Sequence, residues 1–169
     1  MSHVLADLIN QAQGFVLIGD SSQSRFPALS YHNYARVGKR FYCLDMGGLK
    51  ESRGATKGGK VYQSVEELPE SRGDLAIVWV KPRRAKAAVD LAHAAGCKRV
   101  WLSFQTAHPD ALARAKEHGM EIVEIGRCPV HYLDGMSPAC VAHTLLLRIT
   151  GSYARPPQVD LNSKRRELW

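Results

Sequence analysis

The chain has no apolar run approaching the ~20 residues that a membrane-crossing helix needs. Its amino-terminal stretch, Met1-Ser-His-Val-Leu-Ala-Asp7, has neither a charged lead-in nor a long apolar segment. It does not read as a secretory signal, so a cytoplasmic location and no membrane partner are expected. Cysteines are few and scattered: Cys43, Cys97, Cys128 and Cys140 form no Cys-x-x-Cys pair. That argues against a zinc ribbon or a disulfide framework and for reduced thiols. The seven histidines show no His-x-x-x-His spacing; no metal is expected. Negative charge is also short, with 16 Asp and Glu against 23 Lys and Arg, a formal net charge of +7. Such an excess suits an anionic partner, either nucleic acid or a small ligand carrying phosphates.

What is present is ordinary globular material: 169 residues, 45% hydrophobic and 23% charged. That length reads as one domain with a core large enough to need no staples. Apolar clusters alternate with helical patterns. Val4, Leu5, Leu8, Ile9 and Ala12 make an amphipathic stripe, and Phe15–Ile18 is a short continuous apolar run. Further strands are read at 40–45, 75–80, 99–103 and 121–125. Helices are read at about 27–37, 82–95 and from Pro109 to a stop at Gly119, and from Pro138 to about Thr150. Ser64 and Glu67 form a capping box for a short helix. The tail beyond Gly151 reads as irregular and ends in Lys164-Arg-Arg166. Strands alternating with helices predict an α/β, doubly wound, mainly parallel five-stranded sheet of the Rossmann-like kind, with helices on both faces. The expected division is a Rossmann-like part over 1–133, with 134–169 as a helix and basic tail packed on the same domain.

In such sheets ligands bind beyond the carboxyl ends of the strands. The turn Gly19-Asp-Ser-Ser-Gln-Ser-Arg25 leaves a buried strand and enters a helix, a context that favours anions. Gly19, Ser21, Ser22 and Arg25 are the candidate phosphate residues. The Gly-x-Gly-x-x-Gly fingerprint is not met, because Ser21 and Ser24 stand at its later glycine positions. Asp45, ending the second strand, is placed either for a ribose diol, as in an NAD-type enzyme, or as a turn residue. Residues 46–60 carry Lys50, Arg53, Lys57 and Lys60 among glycines and read as a mobile cationic flap. The string Gly54-Ala-Thr-Lys-Gly-Gly-Lys60 approaches a P-loop, but Val61 replaces the magnesium-holding hydroxyl and no helix follows. Gly19-Asp-Ser21 also resembles the nucleophile block of GDS(L) hydrolases. The Asp-x-x-His those enzymes carry near the carboxyl terminus occurs here only at Asp90–His93, in mid-chain. No helix carries a dense Lys/Arg stripe with interleaved aromatics, which argues against nucleic acid.

Taken in order, these segments resemble the CoA-binding domain family, related to the N-terminal domain of the succinyl-CoA synthetase alpha subunit. Phe15-Val-Leu-Ile-Gly-Asp-Ser-Ser22 is similar to its first strand and Gly-x-Ser turn. Val61-Tyr62 followed by Ser64–Leu68, and Ile77-Val-Trp-Val-Lys-Pro82, match its short and central strands. Gly96-Cys-Lys-Arg-Val-Trp-Leu102 and Gly119–Pro129, ending Arg-Cys-Pro, match its last two. Asp45-Met46 replaces the family's Asn-Pro, and Ser103-Phe-Gln105 replaces a glycine beside the pantetheine path. Residues 134–169 fall outside the resemblance.

The resemblance implies recognition of CoA, a small phosphate-bearing ligand, without catalytic machinery. Loop 19–25 would hold the diphosphate. Val80, Lys81, Pro82, Ser103 and Gln105 would line the adenine and pantetheine path, and Cys128 and Pro129 would lie at the pantetheine end. Lys50, Arg53 or Lys57 would meet the 3′-phosphate. An NAD-type nucleotide module and an esterase using Ser21 are the alternatives. Oligomeric state is not legible.

Overall fold

The computed structural model describes residues 2–161; Lys164, Arg165 and Arg166, the basic end of the tail, lie outside the described residues. Five strands form one sheet: β1 (Phe15–Gly19), β2 (Phe41–Asp45), β3 (Leu75–Trp79), β4 (Arg99–Leu102) and β5 (Glu121–Ile125). Their order is β2-β1-β3-β4-β5, and every pairing is parallel. Five helices connect and flank them: α1 (Val4–Gln11), α2 (Ala28–Arg36), α3 (Pro82–Ala94), α4 (Pro109–Glu117) and α5 (Pro138–Ile149). The expected capping box differs in detail. Val65–Glu67 is a single 3-10 turn, and the Ser64 side chain makes no cap hydrogen bond.

The two faces follow from strand periodicity. Val16, Ile18, Ala76, Val78, Val100 and Leu102 pack with Ala85, Ala88 and Val89 of α3 and Ala111, Leu112 and Ala115 of α4. The alternate residues Phe15, Leu17, Leu75, Ile77 and Trp101 pack with Leu5 and Ile9 of α1, Tyr31 and Tyr34 of α2, and Cys140 of α5. Alanines on α3 and α4 let those helices lie close to the sheet. The bulk on the other face comes from aromatics, and Trp101 is fully buried. Its Nε1 donates to the Arg127 carbonyl at 2.7 Å. Burying such a side chain stabilises by about 1.5–3 kcal/mol.

The order reverses between β1 and β3, so the carboxyl ends of these strands form the topological switch point. The segment after β5 and the helix after it complete this end. Pro129–Tyr132 makes a buried 3-10 turn. Ser137, at the N-cap position of α5 but with no side-chain cap bond, donates its N–H to Asn33 Oδ1 at 2.6 Å. The tail is irregular but held in place. Ile125 N–H donates to the Gln158 carbonyl, and Gln158 N–H donates to Glu124 Oε2. Arg127 binds Glu124 Oε2 and the carbonyls of Arg155 and Pro156. Among the described residues no helix is long and apolar enough to cross a membrane.

Candidate functional site

The turn after β1 uses its donors internally. Asp20 and Asp45 are both fully buried carboxylates. Asp20 accepts from the Ser22 N–H, the Ser22 hydroxyl and Arg84 Nε. Burial works to raise its pKa, but these hydrogen bonds outweigh burial and hold the carboxyl below its ordinary range. Asp45 accepts from the Ser21 N–H at 2.7 Å, the Ser21 hydroxyl at 2.7 Å, Gly47 N–H at 3.1 Å and Leu49 N–H at 2.7 Å. The N–H groups of Gln23 and Arg25 close on the Asp20 carbonyl, and that of Ser24 on the Ser21 carbonyl. The amides of residues 21–25 therefore all have partners within the protein.

Two glycines make this packing possible. A Cβ on Gly19 would meet Pro27 Cδ at 2.4 Å, and one on Gly47 would meet Ser22 N at 2.3 Å. Gly19 thus serves close approach of the β1 end to the entrance of α2. Gly47, which sequence reasoning did not single out, lets the loop after β2 lie against the serine turn.

The free donors of this region lie one step further on, at α2. Pro27 is its N-cap and supplies no side-chain acceptor. In the first turn, the Leu29 and Ser30 amides have no intrahelical acceptor. Leu29 and Ser30 line a cavity of about 520 Å³ at the carboxyl ends of β3, β4 and β5. One side of it is the α2 entrance, Phe26 to Ser30. The sheet edge contributes Trp79, Ser103, Phe104 and Gly126 to Cys128, and α5 contributes Ala139, Cys140, His143 and Leu147. Ser152 and Arg155 of the tail complete the wall.

Arg25 lies beside Trp79 of this wall. Its guanidinium lies 5.0 Å from the centroid of the Trp79 ring and donates to Gln105 Oε1 at 3.0 Å. Gln105 has φ +53, a conformation that glycine adopts without strain. This is the neighbourhood where the resembling family carries glycine.

The Cys128 thiol of the cavity wall is held in its protonated form. Burial pushes the Cys128 thiol up to about 11, against hydrogen bonds with Ser30 and Ser103 that act to lower it. His131 is nearly fully buried, and its Nδ1 pairs with Thr144 Oγ1 at 2.9 Å. Burial, reinforced by the neighbouring His143, lowers it to about 4, so the ring is neutral at pH 7. Under the wall, the Tyr34 hydroxyl is buried and has no hydrogen-bond partner among the described residues. Burial and the nearby thiols Cys128 and Cys140 raise its pKa well above the ordinary value.

Of the residues expected from sequence, Ser103 and Cys128 line the cavity, and Arg25 and Gln105 bond to each other outside its lining. Gly19, Ser21, Ser22 and Asp45 form the supporting turn behind α2. Val80 is fully buried and Pro129 is buried, whereas Lys81 and Pro82 are exposed at the start of α3. Lys50, Arg53 and Lys57 are exposed and outside the cavity wall.

Their loop is not the free flap that its glycines suggested. It folds back on itself through an antiparallel backbone β-bridge between Glu51 and Lys60, and Ser52 N–H donates to the Gly59 carbonyl at 2.7 Å. It then packs on α2, where Tyr31 donates its hydroxyl proton to the Lys60 carbonyl at 3.1 Å. Sequence reasoning missed Phe26, Trp79, Phe104 and the α5 residues. Phe104 sits in a loop that the strand ends had marked. The contribution of α5 had no local signal, because it comes from a distant return of the chain.

A doubly wound parallel sheet with a cavity at its carboxyl edge defines a Rossmann-like domain. Residues 14–133 match the CoA binding domain, and the chain belongs to that family. Solved structures share the fold. A hypothetical protein from Pyrococcus horikoshii OT3 is 24% identical, with a TM-score of 0.62 over 76% of this chain and 86% of its own. Prb, described as the PH1109 protein redesigned for binding, is 26% identical with a TM-score of 0.60 over the same shares, 76% and 86%. A conserved hypothetical protein from Pyrococcus furiosus is 23% identical with a TM-score of 0.54, over 69% of this chain and 95% of its own. No curated protein matches the chain.

Proposed function

We propose that the protein binds CoA or a CoA thioester at the carboxyl edge of its sheet and has no catalytic machinery of its own. The observation that carries this is a largely apolar cavity opening onto the first turn of α2, in a chain whose residues 14–133 match the CoA binding domain. The amides of Leu29 and Ser30, at the positive end of the α2 dipole, suit the diphosphate. Arg25, two residues before the α2 N-cap Pro27, supplies a cation. Lys50, Arg53 and Lys57, on the loop packed against the same helix, suit the 3′-phosphate. Asp45 favours CoA over NAD in this reading, since its carboxylate already accepts from three backbone amides and one hydroxyl. A ribose diol would have to displace them.

The absence of chemistry in this proposal rests on the states of the two candidate nucleophiles. The Ser21 hydroxyl donates to a buried carboxylate and meets no histidine nitrogen among the described residues. The Cys128 thiol stays protonated. The test is a thermal melt with CoA and with NAD. At ~100 times its dissociation constant a ligand adds about 2.7 kcal/mol of stability. CoA is expected to raise Tm more than NAD does; stabilisation by NAD with none from millimolar CoA overturns the proposal.

A further inference from the structure

The wall of the cavity is poorly matched to much of CoA itself. The pantetheine arm carries amides that need hydrogen-bond partners, and the phosphates need donors and cations. The chamber between α2 and α5 is instead mainly apolar, with Phe26, Leu29, Phe104 and Leu147 in its wall and a few hydroxyls and His143 as its polar groups. No Asp, Glu or Lys lines it. Of its two arginines, Arg127 is held by Glu124, the Tyr132 hydroxyl and two carbonyls, and Arg155 is engaged as well. At about 520 Å³ the chamber falls within the ~300–1,000 Å³ range of small-molecule sites. One wall is α5, which lies beyond the matched residues 14–133. That wall therefore lies outside the part of the chain that matches the family.

We propose that this chamber receives the hydrocarbon acyl group of a CoA thioester, and that α5 sets the size of that group. The inference rests on the CoA reading above and adds the ligand class: a neutral, apolar acyl-CoA bound in preference to free CoA. Phosphate contacts stay at the entrance of α2 and on the basic loop, while the acyl chain points between α2 and α5. Binding forms no covalent bond. The protonated Cys128 thiol leaves the thioester intact, and the neutral ring of His131 adds no charge beside the hydrocarbon.

Calorimetric titration of the full chain with CoA and its acetyl, butyryl, hexanoyl and succinyl thioesters tests this. Each methylene moved from water into an apolar wall tightens binding about fourfold. Hexanoyl-CoA is therefore expected to bind at least tenfold tighter than acetyl-CoA, and butyryl-CoA tighter than succinyl-CoA, whose terminal carboxylate finds no unengaged cation. Ala139→Trp, which projects bulk from α5 into the chamber, is expected to abolish the gain with chain length while CoA affinity stays within about threefold. Leu147→Trp serves if Ala139→Trp does not fold.

Affinity that is flat or falls from CoA to hexanoyl-CoA overturns the acyl chamber and leaves the CoA reading standing. So does tighter binding of succinyl-CoA, or an unchanged chain-length series in both folded variants. Failure of every CoA species to bind removes both readings together.

Discussion

The Ser21 hydroxyl donates to Asp45 Oδ2 at 2.7 Å, across the gap between the ends of β1 and β2. This bond, with the three backbone amides that share the same carboxylate, fixes the turn that leads into α2. The two residues most suggestive of chemistry in the sequence are thereby structural partners.

Asp45→Ala is expected to destabilise the protein by about 3 kcal/mol or more, because hydrogen bonds to charged groups contribute ~1.5–3 kcal/mol each and four donors lose their acceptor. For a domain of this size that lowers Tm by about 6–12 °C. Thermal and urea unfolding measure it. An unchanged Tm, coupled with selective loss of dinucleotide binding, would point to a ribose-binding aspartate. Ser21→Ala removes one of those four bonds and should cost about 1.5–3 kcal/mol. Neither wild type nor variant is expected to turn over short p-nitrophenyl esters; turnover that vanishes in Ser21→Ala would revive the hydrolase reading.

Tyr34→Phe removes a buried hydroxyl that has no partner among the described residues. Deleting an unsatisfied polar group of the same shape is neutral or stabilising, so Tm should hold or rise by an amount worth up to about 1 kcal/mol. A loss above about 1 kcal/mol would mean that the hydroxyl has a partner in solution.

His131 gives the stability a pH dependence of known sign. Its folded-state pKa is lowered to about 4 from the ordinary 6.5, so the unfolded chain binds the proton more readily. The contribution is full above pH 6.5 and is lost as pH falls from there toward 4. Between pH 7 and pH 5 the loss is about 2 kcal/mol. Asp20, whose carboxyl is lowered from 3.8, contributes above that pH and loses its share only in stronger acid. Urea unfolding at pH 7 and 5 therefore separates His131 from Asp20. His131→Gln should flatten the difference; an equal pH dependence in the variant would assign it to other groups.

How much of this was legible depends on whether the signal is local. Phe15–Ile18 and Leu75–Trp79 announce themselves as strands because burial on both faces demands continuous apolar runs. Glycines after α2, α3 and α4 mark their ends, with φ of +69, +81 and +66 at Gly38, Gly96 and Gly119. The serine turn was found, but its donors are satisfied by two aspartates, and only the folded chain brings Asp45 to Ser21. The acyl-sized chamber was not legible. It is made where α5 returns to α2, through the Ser137–Asn33 contact, and no periodicity within α5 records that meeting. The basic loop misled in the opposite way. Its glycines signal freedom, yet Gly59 permits close contact with the Tyr31 ring.

The cationic side chains of that loop are expected to matter only when phosphate is present. Replacing Lys50, Arg53 and Lys57 together by Ala should leave the ligand-free Tm within about 2 °C, since exposed charges contribute ~0–1 kcal/mol. CoA affinity should fall at least tenfold, and that of 3′-dephospho-CoA much less. Equal losses for both ligands would remove the loop from the 3′-phosphate. Unchanged binding of both would make it solvated surface.

The most direct test of the central claim is a native mass spectrum of the purified protein mixed with equal concentrations of CoA and NAD. The account predicts a one-to-one complex shifted by the mass of CoA and no NAD complex. A complex shifted by the mass of NAD alone, or the bare protein with neither ligand at millimolar concentration, would contradict it.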